Sequence, residues 1–304
     1  MKINRKIQNI SLIVIGGLAF IGLIIGSFLD RQITAKMGDS NNMLGILFTA
    51  FGPVLVLAFG VLSGSLLFFM PKIEHKTLNI VFRVIGAVAV VGFVVAQIKE
   101  GIEWVDFPRM QADASTYKVL IIVFTALLDL AIILFSRIWV DKMDQKAMLY
   151  ASVMIIGIIF VYFVACEGVK YIASRPRPRV LDEEFNGFRQ WFQFNPFAAF
   201  KSEYKDCKSF VSGHTANAAC LITILPFVAS MTKRENDNRI QIMTIIIGAL
   251  FTFVVAFSRI IARAHWMTDV MGGILVSCAI QALAINVKPF NFKKDPQTDL
   301  KEEK

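Results

Sequence analysis

Two of the chain's three histidines sit in short polar stretches of an otherwise apolar sequence. His214 closes Ser209-Phe-Val-Ser212-Gly213-His214, and His265 lies in Ser258-Arg259-Ile-Ile-Ala-Arg263-Ala-His265-Trp-Met-Thr-Asp269. A third polar stretch, Lys170-Tyr-Ile-Ala-Ser-Arg175-Pro-Arg177-Pro178, is strongly cationic. Together these residue types can perform phosphoryl transfer. A tetrahedral dianion needs convergent cationic donors, which Lys170, Arg177 and Arg259 supply, the arginines through two-pronged guanidinium forks. Backbone N–H groups at Ser212-Gly213, where a helix is expected to begin, add a neutral cradle. The same fixed groups would stabilise charge on the equatorial oxygens of the transition state. His265, with Asp269 one helical turn later accepting from its other ring nitrogen, has the arrangement of a nucleophile and its orienter. His214 is left to protonate the leaving oxygen and then to activate water.

Taken singly, each stretch has a plainer reading. Basic residues at a helix end anchor it at a membrane interface. Ser212-Gly213-His214 makes an ordinary helix N-cap. His265 and Asp269, four apart, form a structural pair on one helix face. The chemical reading depends on whether the rest of the chain brings the three stretches together.

That rest is built for a bilayer. Of 304 residues 56% are hydrophobic and 18% charged, too little polar surface to wrap a water-soluble domain of this size. A membrane helix needs about 20 mainly apolar residues, and eight such runs are present: 10–28, 44–69, 78–97, 119–140, 148–169, 215–231, 240–257 and 270–287. Runs such as 121–128 and 242–250 are nearly continuous in apolar residues, which fits helices and not the alternating strands of a barrel. The expected fold is therefore an all-α polytopic bundle of about eight transmembrane helices.

The net charge of +9 is spread over the ends of the apolar runs and forms no soluble basic face, so nucleic acid is not an expected partner. With eight spans both termini share one side. That side carries Lys2, Arg5, Lys6, Lys72, Lys76, Arg137, Lys142, Lys146, Lys233, Arg234 and Arg239. The positive-inside bias makes it the cytoplasm of a cell membrane and puts all three polar stretches on the extracytoplasmic face. The long external segment 174–212 is rich in aromatics, Phe185, Phe188, Trp191, Phe192, Phe194, Phe197 and Phe200, expected as an interfacial belt bordering any lipid path. The segment 100–108, with Trp104 and Phe107, is expected on the same surface. Arg83 lies near a cytoplasmic helix end and can snorkel, whereas Asp129 is nearer mid-membrane and should face the bundle, hydrogen-bonded or protonated.

These residues resemble the three-part signature of the type 2 phosphatidic acid phosphatase superfamily, written K-x6-RP, PSGH and SR-x5-H-x3-D. Lys170, Arg177 and Pro178 match the first part, Ser212, Gly213 and His214 the second, and Ser258, Arg259, His265 and Asp269 the third. Val211 stands where the family usually has proline, a position that shapes the helix start and does no chemistry. The resemblance implies a six-helix phosphatase core over residues 78–290, two additional N-terminal helices in 1–77 and a polar cytoplasmic tail at 291–304. It further implies that His265 forms a phosphohistidine, that His214 is the acid, and that Asp269 orients His265. Lys170, Arg177, Ser212, Gly213 and Arg259 would hold the phosphate, with no metal and no cofactor.

Arg175 and Arg263 receive no role, a solvated or headgroup contact being the simpler reading. The implied partner is a lipid phosphate or diphosphate such as undecaprenyl diphosphate, phosphatidylglycerol phosphate, phosphatidic acid or diacylglycerol pyrophosphate. The alternatives are a lipid phosphotransferase using the same phosphohistidine and, less well matched, a membrane transporter, whose polar residues should gather at mid-membrane. Vanadium haloperoxidases share the pocket but are soluble, which this composition opposes.

Overall fold

The computed structural model describes residues 3–70, 76–103, 110–198, 207–232 and 238–287. Several residues used above lie outside these: Lys2, Lys72, Trp104, Phe107, Phe200, Lys233, Arg234 and the whole 291–304 tail. Every regular element among the described residues is helical: α1 (Arg5–Met37), α2 (Met43–Phe69), α3 (Lys76–Ile102), α4 (Ala114–Trp139), α5 (Gln145–Ala173), α6 (Gly213–Ala219), α7 (Leu221–Ser230), α8 (Asn238–Ile261) and α9 (Met267–Asn286). They make eight spans long and apolar enough to cross a bilayer, with α6 and α7 together forming one. The all-α polytopic bundle is thus observed. The helices outrun the apolar segments because polar residues at their ends find partners: Asn4 caps α1 by accepting from Ile7, and Asp144 caps α5 by accepting from Lys146 and Ala147.

The bundle is organised around α2, which packs on α3, α4, α5, α6 and α8, and around α9, which packs on α1, α5, α6 and α8. Ile46, Ala50, Val54, Val56, Val61 and Leu66 of α2 are fully buried. Outward faces are apolar as well: Val84, Val88, Val91 and Val95 form an exposed stripe along α3, at the three- and four-residue spacing of one helix face. Lipid is the natural solvent for such a surface. Both ends of the described chain meet at one end of the bundle, where Arg5 donates to the Val287 carbonyl at 3.0 Å and Asn4 donates to the Gln241 Oε1 at 3.0 Å. The opposite end gathers the C-termini of α1, α5 and α8 with the N-termini of α6 and α9.

Two intramembrane charges behave as their positions suggest. Arg83 reaches the Met70 carbonyl at 3.3 Å, at the end of α2. Asp129 is buried on α4 and faces inward near Gln97 of α3, but neither of its carboxylate oxygens has a hydrogen-bond partner, so the hydrogen bond considered for it is not made.

Helix contacts are tight where side chains are absent. Gly60 and Gly64, one turn apart on α2, face α3; a Cβ on Gly64 would lie 2.8 Å from the Gly86 carbonyl oxygen, and one on Gly60 2.5 Å from the Phe93 ring. With no hydrophobic force to drive helices together in lipid, such backbone approach supplies the packing. Gly64→Leu is expected to push α3 off α2 and cost about 1–3 kcal/mol, read as a lowered midpoint of thermal unfolding in detergent; an unchanged midpoint would contradict this packing.

Candidate active site

The site is held by a buried ion network. Arg175 follows Ser174, which ends α5 in a left-handed conformation at φ 42°. This Arg is 1% exposed and donates in three directions: Nη2 to Asp30 Oδ2 at 2.9 Å, Nη1 to Asp269 Oδ1 at 2.7 Å, and Nε to the Arg189 carbonyl at 2.7 Å. Thr268 closes the circuit, accepting from Arg175 Nη1 at 2.7 Å and donating its hydroxyl to Asp30 Oδ2 at 2.5 Å and its N–H to Asp30 Oδ1 at 3.0 Å. Phe188 and Trp266 cover the guanidinium, their ring centres 5.3 and 5.4 Å away. Arg175 is therefore no headgroup contact, as its sequence alone suggested; two buried carboxylates demand a buried cation. Arg263 likewise pairs with Glu183 at 2.8 Å and lies over Phe185.

Asp269 turns this network toward the chemistry. At the third position of α9 its Oδ2 accepts from the Trp266 N–H at 2.9 Å, fixing the helix start one residue beyond His265. The same oxygen accepts from the Ser209 hydroxyl. His265 Nδ1 lies 2.8 Å from the Ser209 carbonyl but 3.6 Å from Asp269 Oδ2. The direct Asp269 hydrogen bond expected from the four-residue spacing is therefore replaced. Asp269 holds Ser209 and the helix start, and the Ser209 carbonyl accepts from Nδ1. The result for the ring is the same tautomer, leaving Nε2 as the unprotonated nitrogen.

The cations decide the ring's charge. Burial, then Arg177, Arg259 and Lys170, hold the His265 imidazole well below its ordinary titration range, against the opposing pull of the Ser209 hydrogen bond. Neutral imidazole, the form that can attack phosphorus, is what this environment favours.

A cavity of about 170 Å³ opens at this end of the bundle, lined by Lys170, Arg177, Gly213, His214 and His265. Lys170 lies in the last turn of α5 and is paired with Glu167 at 2.6 Å. Gly213 lets it approach, since a Cβ there would sit 3.1 Å from Lys170 Nζ. Arg177 lines the cavity with its Nε unpartnered. Arg259 stands behind the wall, 1% exposed, its Nη1 donating to the Thr49 hydroxyl and its Nε free of protein partners. His214 Nε2 lies 3.1 Å from the Thr49 carbonyl.

Ser212 is placed differently from expectation. Its N–H donates to the Asp269 carbonyl at 2.9 Å and its hydroxyl caps α6 through Thr215, so it offers no N–H to an anion. The first unengaged amides of α6 are those of Gly213 and His214. Ser212 instead shapes the helix start, packed so closely on α9 that a Cβ on Gly273 would lie 2.6 Å from its carbonyl oxygen.

Sequence reasoning missed the helix α1 and α2 contributions. Thr49 of α2 touches both His214 and Arg259, and Asp30 of α1 completes the ion network. An Asp two residues past the first apolar run and a Thr inside the second were the signals. It also missed an acidic wall: Glu100 and Glu103, with Lys99, Lys208, Tyr162 and Asn217, line the same cavity. Glu100, Glu103 and His214 are the described group with ligand types for a cation, their nearest ligand atoms within 4.8 Å of one another. The aromatic segment divides: Phe192, Phe194 and Phe197 are exposed as an interfacial belt requires, whereas Phe185, Phe188 and Trp191 pack inward on Trp266 and Phe210.

No curated protein and no solved structure matches the chain. The family model described as the PAP2 superfamily matches residues 146–293, from the start of α5 past the end of α9, and so spans all three polar stretches. The match, over just under half of the chain, supports a member of the type 2 phosphatidic acid phosphatase superfamily and, in general, an enzyme of phosphatase or phosphotransferase type.

Proposed function

We propose that the protein hydrolyses the phosphomonoester or diphosphate of a membrane lipid through a phosphohistidine on His265. The observation that carries this reading is the neutral His265 ring, its Nδ1 bonded to the Ser209 carbonyl, lining one cavity with Lys170, Arg177 and His214. Phosphate oxygens are received by Lys170 and Arg177, by the Gly213 and His214 amides, and by Arg259 from behind. His265 Nε2 forms a bond to phosphorus as the bond to the leaving oxygen breaks, and His214, charged once the bound dianion offsets Arg259 and Lys170, gives its proton to that oxygen. Nε2 of His214 being turned to the Thr49 carbonyl, the proton leaves from Nδ1. His214 then takes a proton from water, whose oxygen attacks phosphorus and releases His265. Ser212 and Asp269 act by holding the backbone and the ring, and no metal enters any step.

The site lies at the end of the bundle opposite the described termini. The terminal end carries Arg5, Lys6, Lys76, Arg137, Lys142, Lys146 and Arg239, which favours a cytoplasmic position for it and an extracytoplasmic position for the site in the cell membrane. The headgroup would then come from the outer leaflet, a placement that suits a polyprenyl diphosphate and other outer-leaflet lipid phosphates alike.

Four outcomes are expected. His265→Ala should lower phosphate release from lipid phosphates by on the order of 10⁴-fold or more, while His214→Ala, assayed with p-nitrophenyl phosphate, whose leaving group needs no acid, should accumulate an acid-labile phosphoenzyme. Full activity in the first variant would sink the nucleophile. Carbon-13 labelling of the His265 ring should show it titrating below the ordinary histidine value of about 6.5. Because the unfolded chain then binds the extra proton first, folded-state stability should fall as pH drops below that value; titration at 6.5 would contradict the cationic surroundings. Arg175→Met, leaving Asp30 and Asp269 buried and unpaired, should cost about 3–5 kcal/mol by thermal unfolding in detergent, with Arg175→Lys recovering part of it. Thr49→Val should retain the fold and lose catalytic rate through Arg259, measured as kcat on one lipid phosphate.

A further inference from the structure

The cavity is lined by two kinds of group, and the proposed hydrolysis uses only one. Beside the phosphate-binding cations the cavity is lined by Glu100 and Glu103, at the end of α3, whose carboxylate oxygens approach a His214 ring nitrogen within 4.8 Å. A pocket that bound only a phosphate dianion would be weakened by carboxylates on its wall. Nor are they needed to pair Lys170, which already holds Glu167 at 2.6 Å.

Asn217 is a second, independent sign. One turn beyond Gly213 on α6, it lines the same cavity, is 2% exposed, and its Oδ1 has no hydrogen-bond partner. A buried acceptor without a donor costs about 1–3 kcal/mol, which a bound group with N–H or O–H donors would relieve. Two carboxylates and an amide oxygen are all acceptors, so what they face should be a donor carrying positive charge.

Resting on the phosphatase reading, we infer that the substrate carries a protonated amine beside its phosphate, and that Glu100, Glu103 and Asn217 receive it. Ammonium and phosphate then divide the cavity by charge. When the dianion engages Lys170 and Arg177, the carboxylates face the rest of the headgroup, and a single positive charge meets them. Acceptors about 2.8 Å from one ammonium nitrogen, set on its tetrahedral directions, stand roughly 4.6 Å apart, a span the glutamates and their neighbours allow. A divalent cation is the less suited occupant, because Lys99, Lys170, Arg177 and Lys208 line the same small space. The substrate class is thus an amino-lipid phosphate, with the amine one or two carbons from the ester oxygen.

The test uses the full-length protein in detergent micelles with EDTA present and two probes of equal chain length, a 2-amino-alkyl phosphate and the corresponding 2-hydroxy-alkyl phosphate. At pH 7 kcat/KM for the amine is expected to exceed that for the hydroxyl by about tenfold or more. Glu103→Gln and Glu100→Gln should each lower the amine arm far more than the hydroxyl arm, which also reports that the variants fold. Equal rates in the unaltered protein, or a preference that both variants keep, overturn the inference and leave the phosphatase reading standing. Turnover that stops in EDTA and returns with a divalent cation assigns the acceptors to a metal and also overturns it. Phosphate release from neither probe, nor from a prenyl diphosphate, overturns both readings.

Discussion

The structure depends on keeping two carboxylates and one guanidinium out of water at once. Asp30, Arg175 and Asp269 are each at most 2% exposed, and none could stay charged there alone. Their pairing obliges four parts of the chain to meet: the last turns of α1, the residue after α5, the segment before α6 and the first turn of α9. His265 is positioned by that meeting. Its ring is held through Ser209, which is itself held by Asp269 through its hydroxyl and by the Arg175 carbonyl through its N–H. An ion network whose members do not line the cavity thereby sets the direction of the His265 ring.

Lipid as solvent accounts for the division of labour among helices. The faces of α3, α4 and α8 that look outward can be uniformly apolar, so polar groups are confined to the interior and to the two ends of the bundle. At the end that holds the cavity the cations are excessive for structure alone. Arg175 is neutralised, and Lys170 is paired, but Arg177 and Arg259 each keep a buried nitrogen with no protein partner. Such unsatisfied donors are costly in a resting structure and useful when an anion arrives.

Much of this was legible in the sequence because it is encoded locally. Eight apolar runs read directly as spans, and the spacings around Lys170, Ser212 and His265 carried both the chemistry and the family. What could not be read was whatever depends on distant helices. Asp30 lies just past one apolar run and Thr49 within the next, neither with a motif around it, and their partners are 145 and 210 residues away. The four-residue step from His265 to Asp269 suggested a direct bond, but a bond through the backbone of residue 209 comes from the fold. Ser212 was read as an anion ligand because a helix N-terminus exposes its amides; the packing of α9 took that amide for itself. The segment 100–108 was expected on this surface, but Glu100 and Glu103 were given no part in the cavity because they close an apolar segment, where charge ordinarily means only a helix end.

The central claim is that phosphorus is attacked first by His265 and only then by water. It is tested most directly by the stereochemical course at phosphorus, with a substrate made chiral by oxygen isotopes and sulfur and hydrolysed in isotopically labelled water. Two successive in-line displacements predict net retention of configuration. Net inversion would mean that water attacks the lipid phosphate directly, and it would contradict the account.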